Sequence, residues 1–267
     1  MSDPFHLRRP VSTRHAFALA FDLSVRRDAL QSLIVPLILR APWIVALALL
    51  PDLDATDRPG RVMLLRSAAL LGDFLVLLTV GAMIRVRARS VFNTPMDAKP
   101  APVLECYAKG LRRVPWLMVT ELVRNLAIGF ASLFLLLPAV FLGFRLAFAT
   151  EAVVLNDANL SEAFRHSWRI SEGRFERWLE MIVVSVLLVL GAAFLVAALS
   201  LGLRDVSAGM WYAVFSLLTA ALTPMIQYAW TFFYLRLIEL ESPGIEVGPM
   251  YASKPGSRPA VDAAPSV

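Results

Sequence analysis

Residues 114–155 read VPWLMVTELVRNLAIGFASLFLLLPAVFLGFRLAFATEAVVL, with four ionisable side chains: Glu121, Arg124, Arg145 and Glu151. One straight helix of this stretch would be roughly 60 Å long at about 1.5 Å per residue, twice the hydrocarbon thickness of a bilayer. The stretch must therefore fold back. Proline cannot donate its amide to the preceding turn, which makes Pro138 in "LLLPAVF" the expected corner.

Other apolar runs flank this one. The expected spans are about 29–50, 65–85, 114–137, 139–155, 177–202 and 208–237. The composition agrees, being 58% hydrophobic and 18% charged with a mean hydropathy of +0.64. A soluble domain has about 45–50% apolar and about 25% charged residues. The expected fold class is therefore all-α: a polytopic membrane protein with six transmembrane helices and short cytoplasmic amphipathic elbow helices. Residues 1–28 form the N-terminal cytoplasmic segment, 29–240 the transmembrane domain, and 241–267 a cytoplasmic tail. The tail has five prolines after Glu241 and no apolar period, the composition of a disordered segment. The first run contains Arg40 and has no clean cleavage site, so it reads as a retained helix and not a signal peptide.

Charge orients the bundle. Lysines and arginines number nineteen in 1–28, 85–113, 156–177 and 236–267 together, against four in 51–66 and 203–207. By the positive-inside rule both termini are cytoplasmic, as an even number of spans requires. The same rule accounts for the net charge of +5 and pI near 9.8. Nucleic acid is not an expected partner, because no soluble domain is left to bind it. Cys106 is the only cysteine, which rules out an intrachain disulfide and a thiolate zinc cluster. His6, His15 and His166 are scattered, and Asp52, Asp54 and Asp57 lack the spacing and glycine of a calcium loop. No metal or cofactor is expected.

The polar island LSEAFRHSWRISEGRF (160–175) reads as an interfacial helix. Asn159 followed by Glu162 has the form of a capping box. Leu160, Ala163, Phe164, Ser167 and Trp168 share one face, and Glu162, Arg165, His166 and Arg169 the other. Such a helix lies flat at the headgroups, with Arg165, Trp168 and Arg169 as lipid contacts and Gly173 allowing a bend into the next span. HAFALAFDLSVRR (15–27) and VLECYAKGLRRVPW (103–116) hold corresponding places before spans one and three. The chain then divides into three units, each an elbow followed by a two-span hairpin.

Over 135–179 the order of parts is a proline corner, a short helix with an internal arginine, an acidic residue, a polar turn, the "EAFRHSW" elbow, and a glycine before the next span. QYAWTFFYLRLIELE (227–241) follows as a closing helix. This resembles the six-helix membrane domain attached to some bacterial glycerophosphodiester phosphodiesterases, and the related stand-alone inner-membrane proteins of the YciC type. The resemblance implies a bacterial cytoplasmic (inner) membrane protein that works with lipid or a partner enzyme. The phosphodiesterase activity of such proteins belongs to a separate soluble barrel, which no segment here can form.

Ionisable groups inside spans are the expected site. Arg40, Asp73, Glu121, Arg124 and Arg145 lie at depth, and burying each singly in hydrocarbon costs roughly 3 kcal/mol or more. Arg40 should pair with Asp73, and Glu121 with Arg124 or Arg145. The remaining cation would find Glu151 or a lipid phosphate. The expected function is non-enzymatic: organising or binding lipid, or a partner membrane protein, at the cytoplasmic leaflet. The alternative is a small transporter for an anionic or amphiphilic solute, with these five residues lining its path.

Overall fold

The computed structural model describes residues 13–27, 33–53, 59–94, 100–202 and 206–241. The first twelve residues, the centre of the aspartate loop (54–58) and the tail after Glu241 lie outside the described residues. Among the described residues there are helices and no strand. They are α1 (Thr13–Phe21), continued by a π-helical turn (Asp22–Arg27), α2 (Val35–Leu53), α3 (Pro59–Asn93), α4 (Val103–Phe134), α5 (Leu136–Arg145), α6 (Ala149–Leu155), α7 (Leu160–Ile170), α8 (Phe175–Gly202) and α9 (Ala208–Glu241). Among the described residues five segments are long and apolar enough to cross a membrane: Gly60–Asn93, Val103–Phe134, Leu136–Leu155, Phe175–Gly202 and Ala208–Glu239. The apolar part of α2, Val35–Ala48, is shorter.

Two elbows differ from expectation. Residues 103–116 are not a separate surface helix but the first half of α4, which runs unbroken to Phe134 with Pro115 inside it. Nor does α1 lie apart on a surface. It packs against α9, and Thr13 Oγ1 donates to Glu180 Oε2 near the start of α8 (2.8 Å). Phe21 and Val25 share a cavity with Gly191 and Leu195 further along α8 and with Leu218 and Met225 of α9. These contacts run α1 lengthwise beside the α8–α9 pair. Ala16, Ala20 and Leu23 are buried on its inner side, and small residues at that spacing allow the backbone close approach.

The capped helix expected after Asn159 forms, with the bend expected at Gly173. Glu162 N donates to Asn159 Oδ1 (3.0 Å) and Asn159 N to Glu162 Oε2 (3.1 Å), a reciprocal cap for α7. Gly173 has φ +68°, a left-handed conformation that L side chains rarely adopt, and turns the chain into α8.

The corner between α4 and α5 falls at Leu135, whose backbone is extended (φ −166°, ψ 153°), and not at Pro138. Pro138 is the third residue of α5, where a helix has no acceptor for the amide that proline lacks. The return leg is not straight. A turn at Leu146–Phe148 separates α5 from α6. All seven residues of α6 are buried, forming the centre of a core with Met83 and Ile84 of α3, Leu117 of α4, Ile170 of α7 and Tyr228, Phe232 and Tyr234 of α9.

The α3–α4 crossing depends on one glycine. A Cβ on Gly110 would lie 2.9 Å from Met83 N and 3.1 Å from Ala82 C, both backbone atoms that cannot rotate away. Gly110→Ala is expected to destabilise by about 1–3 kcal/mol through overpacking. Gly129 faces open space in the same helix, so Gly129→Ala should be neutral or gain about 0.5–1 kcal/mol. Thermal unfolding of both variants in detergent checks the contrast.

Candidate functional site: charged clusters between the helices

The expected site residues fall into three separate places. In the first, α2 and α3 bring Arg40 to Asp73. Arg40 Nε donates to Asp73 Oδ1 (2.7 Å) and Nη2 to Oδ2 (2.9 Å), a two-bond fork. The side chains are 10% and 17% exposed, so the pair is largely shielded and closed on itself.

The second place is a cavity of about 380 Å³ between the α4–α5 hairpin and the α8–α9 pair. Its charged floor centres on a pair that the sequence reading missed. Arg85 Nε donates to Glu151 Oε1 (3.2 Å) and Nη2 to Thr150 Oγ1 (3.1 Å). The Thr150 hydroxyl donates to Glu151 Oε2 (2.9 Å), and Gln227 Nε2 donates to Glu151 Oε1 (3.2 Å). Arg85 and Glu151 side chains are 7% and 4% exposed, and these donors meet both oxygens of the carboxylate. Glu121 and Arg124 line the same cavity and pair with each other at 2.6 Å. Gly143 and Ala147 stand on one wall, Trp178, Ile182 and Trp230 on the other. The four charges balance, which makes this a dipolar site and not an anion trap.

Arg145, the third place, pairs with no acid among the described residues. Its guanidinium carbon lies 5.2, 5.7 and 4.9 Å from the ring centroids of Phe141, Phe144 and Trp168, and its Nη1 donates to the Trp168 carbonyl (3.2 Å). Cation–π contacts stand in for the expected carboxylate. They also fix α7 against the end of α5, together with Ser167 Oγ, which donates to the Arg145 carbonyl (2.7 Å). On α7, Arg165, Trp168 and Arg169 are exposed while Ala163, Ser167 and Ile170 face the protein. His166 meets Asn156, Arg169 and the edge of Tyr234, so its ring is held by structural partners.

A fourth cluster lies outside the five expected site residues. Arg89, Lys109, Arg112, Arg113 and Trp116 line a cavity of about 650 Å³ where α3, α4 and the end of α6 meet, with Asp157 as the acid in its lining. Arg113 pairs with Asp157, Arg89 donates to the Leu155 carbonyl, and Lys109 pairs with Glu105 (2.6 Å). Arg112 is exposed and has no ion pair among the described residues, and Trp116 is half exposed near it in the lining. The clue in the sequence is the run KGLRRVPW (109–116), where cations precede a tryptophan at a span's edge. Among the described residues no three His, Cys, Asp or Glu side chains gather as a metal site.

No curated protein and no solved structure matches the chain. Residues 69–237, from the middle of α3 to the end of α9, do match a family. That stretch holds the whole dipolar cavity, the basic cavity and the α4–α5 hairpin, and leaves out Arg40. The chain belongs to the family described as a domain of unknown function (DUF7847).

Proposed function

We propose that this is a non-enzymatic integral membrane protein that binds anionic lipid at the cytoplasmic leaflet. The observation that carries this reading is the basic cavity. Among the described residues it offers four cations against one acid, two of those cations, Arg89 and Arg112, have no ion-pair partner, and an exposed tryptophan stands at its edge. Basic pockets between helices on the cytoplasmic side suit phosphate headgroups, and tryptophan suits the interface. The charge asymmetry of the loops favours a cytoplasmic side for this cavity and for both termini. The resemblance to the membrane domain of bacterial glycerophosphodiester phosphodiesterases and to YciC-type proteins points the same way, towards the bacterial inner membrane and work with lipid or a partner enzyme. The transporter reading has less support. Arg40 and Asp73 close on each other, and neither they nor Arg145 line the dipolar cavity that Glu121 and Arg124 line.

Native mass spectrometry of the detergent-extracted protein with added phosphatidylglycerol or phosphatidylcholine tests this. Anionic lipid should be retained in preference. Each cation near the surface contributes about 1 kcal/mol, so Lys109→Ala with Arg112→Ala should weaken retention roughly 30-fold. Equal retention of both lipids, or no loss in the double variant, would contradict the proposal.

A further inference from the structure

The α4–α5 hairpin has an unusual tip. From Leu133 to Phe144 no side chain carries a polar nitrogen or oxygen atom. The turns on the outer side of the bundle differ, with "PDLDATDRPGR" (51–61) and "RDVS" (204–207) both charged. Leu133, Leu136 and Leu137 at the tip are 75–80% exposed to whatever surrounds the protein.

Length then decides how far the tip reaches. The inner end of α5 lies at the cytoplasmic boundary, because Arg145 stacks on Trp168 of α7 and Phe144 packs on Phe175 and Trp178 at the start of α8. From that level α8 continues for 28 residues, about 42 Å, whereas α5 has 10 residues and spans about 15 Å. That is half of the hydrocarbon thickness of about 30 Å. The tip stops well short of the level that α8 reaches.

We propose that the α4–α5 hairpin is a wedge in the cytoplasmic leaflet. Its tip ends among acyl chains near the bilayer midplane, in place of the two crossings that apolar length alone allows. The backbone suits this position. Leu135 N–H donates to the Ala131 carbonyl (3.3 Å), and Pro138 has no N–H to leave unsatisfied. With α2 counted beside α3, α8 and α9 as a crossing, the wedge leaves four, an even number that keeps both ends of the bundle on one side. It also places Glu121 and Arg124, which lie opposite the α5–α6 turn, near the headgroups and not at mid-depth. The hairpin wall of the dipolar cavity then faces the chains of one leaflet. This inference uses the membrane orientation given above but not the lipid-binding reading, and it survives if that reading fails.

The test is depth-dependent quenching of the full chain in proteoliposomes. Cys106 is replaced by serine and bimane is placed on Leu135→Cys or, as an outer-face reference, Gly202→Cys. Bimane at 135 should be quenched most by lipids brominated near the chain ends, and should be reached at least tenfold less by iodide than bimane at 202. Iodide quenching from outside equal to that of the reference would overturn the proposal, since the hairpin would then cross. Strongest quenching by shallow bromines would also overturn it, by laying the hairpin flat. A disulfide cross-link between two copies of the unlabelled Leu135→Cys variant, with neither quencher effective on the labelled one, would overturn it in favour of a second copy covering the tip.

Discussion

Arg85→Met is expected to destabilise the protein by about 3–5 kcal/mol, because it leaves the Glu151 carboxylate, 4% exposed, without its cation. Thr150 and Gln227 still donate to Glu151, but hydrogen bonds alone do not neutralise a charge in the centre of the core. The double variant Arg85→Met/Glu151→Leu should recover most of the loss, since a buried pair is often replaceable by apolar residues of similar volume. Thermal unfolding in detergent measures this. A double variant no better than the single would mean that shape and not charge holds the site.

Arg40→Leu is the second large effect, expected at about 3 kcal/mol or more, with Asp73→Leu similar. Here the stranded charge lies between α2 and α3, with 10% and 17% of the two side chains exposed. The fork geometry predicts strong coupling, so the double variant Arg40→Leu/Asp73→Leu should lie closer to wild type than either single. The pair Arg177–Glu180 sets the scale. At 47% and 38% exposure it should contribute no more than about 1 kcal/mol, although its distance of 2.9 Å is nearly the same. Burial, not distance, separates the two. Equal small losses at both pairs would show that the Arg40–Asp73 site is wet.

Much of this arrangement is legible in the sequence, and the reasons differ by element. Hydropathy over 20 or more residues marks α3, α8 and α9 because the bilayer demands it. The cap of α7 is readable because Asn159 and Glu162 satisfy each other's backbone locally. Arg40 could be matched with Asp73 because two lone opposite charges in hydrocarbon must find each other. The remainder depends on tertiary contacts. Arg85 reads as a loop-side cation at the end of an apolar run, and only the burial of all of α6 beside α3 brings it to Glu151. Arg145 finds three aromatic faces instead of an acid, an outcome that charge counting overlooks. Pro138 marks the neighbourhood of the corner and not its position, because a proline is tolerated in the first turn of a helix. The surface position expected for residues 15–27 gives way to packing beside α8 and α9, where Ala16 and Ala20 permit close approach.

The proposed anionic-lipid site lies where α3, α4 and α6 meet. The most direct measurement is a structure of the protein in nanodiscs that contain phosphatidylglycerol. It should show a headgroup phosphate within hydrogen-bond reach, about 3 Å, of the Arg112 guanidinium, with its chains running past Trp116. A cavity without lipid while phosphates are ordered elsewhere around the bundle would contradict the claim.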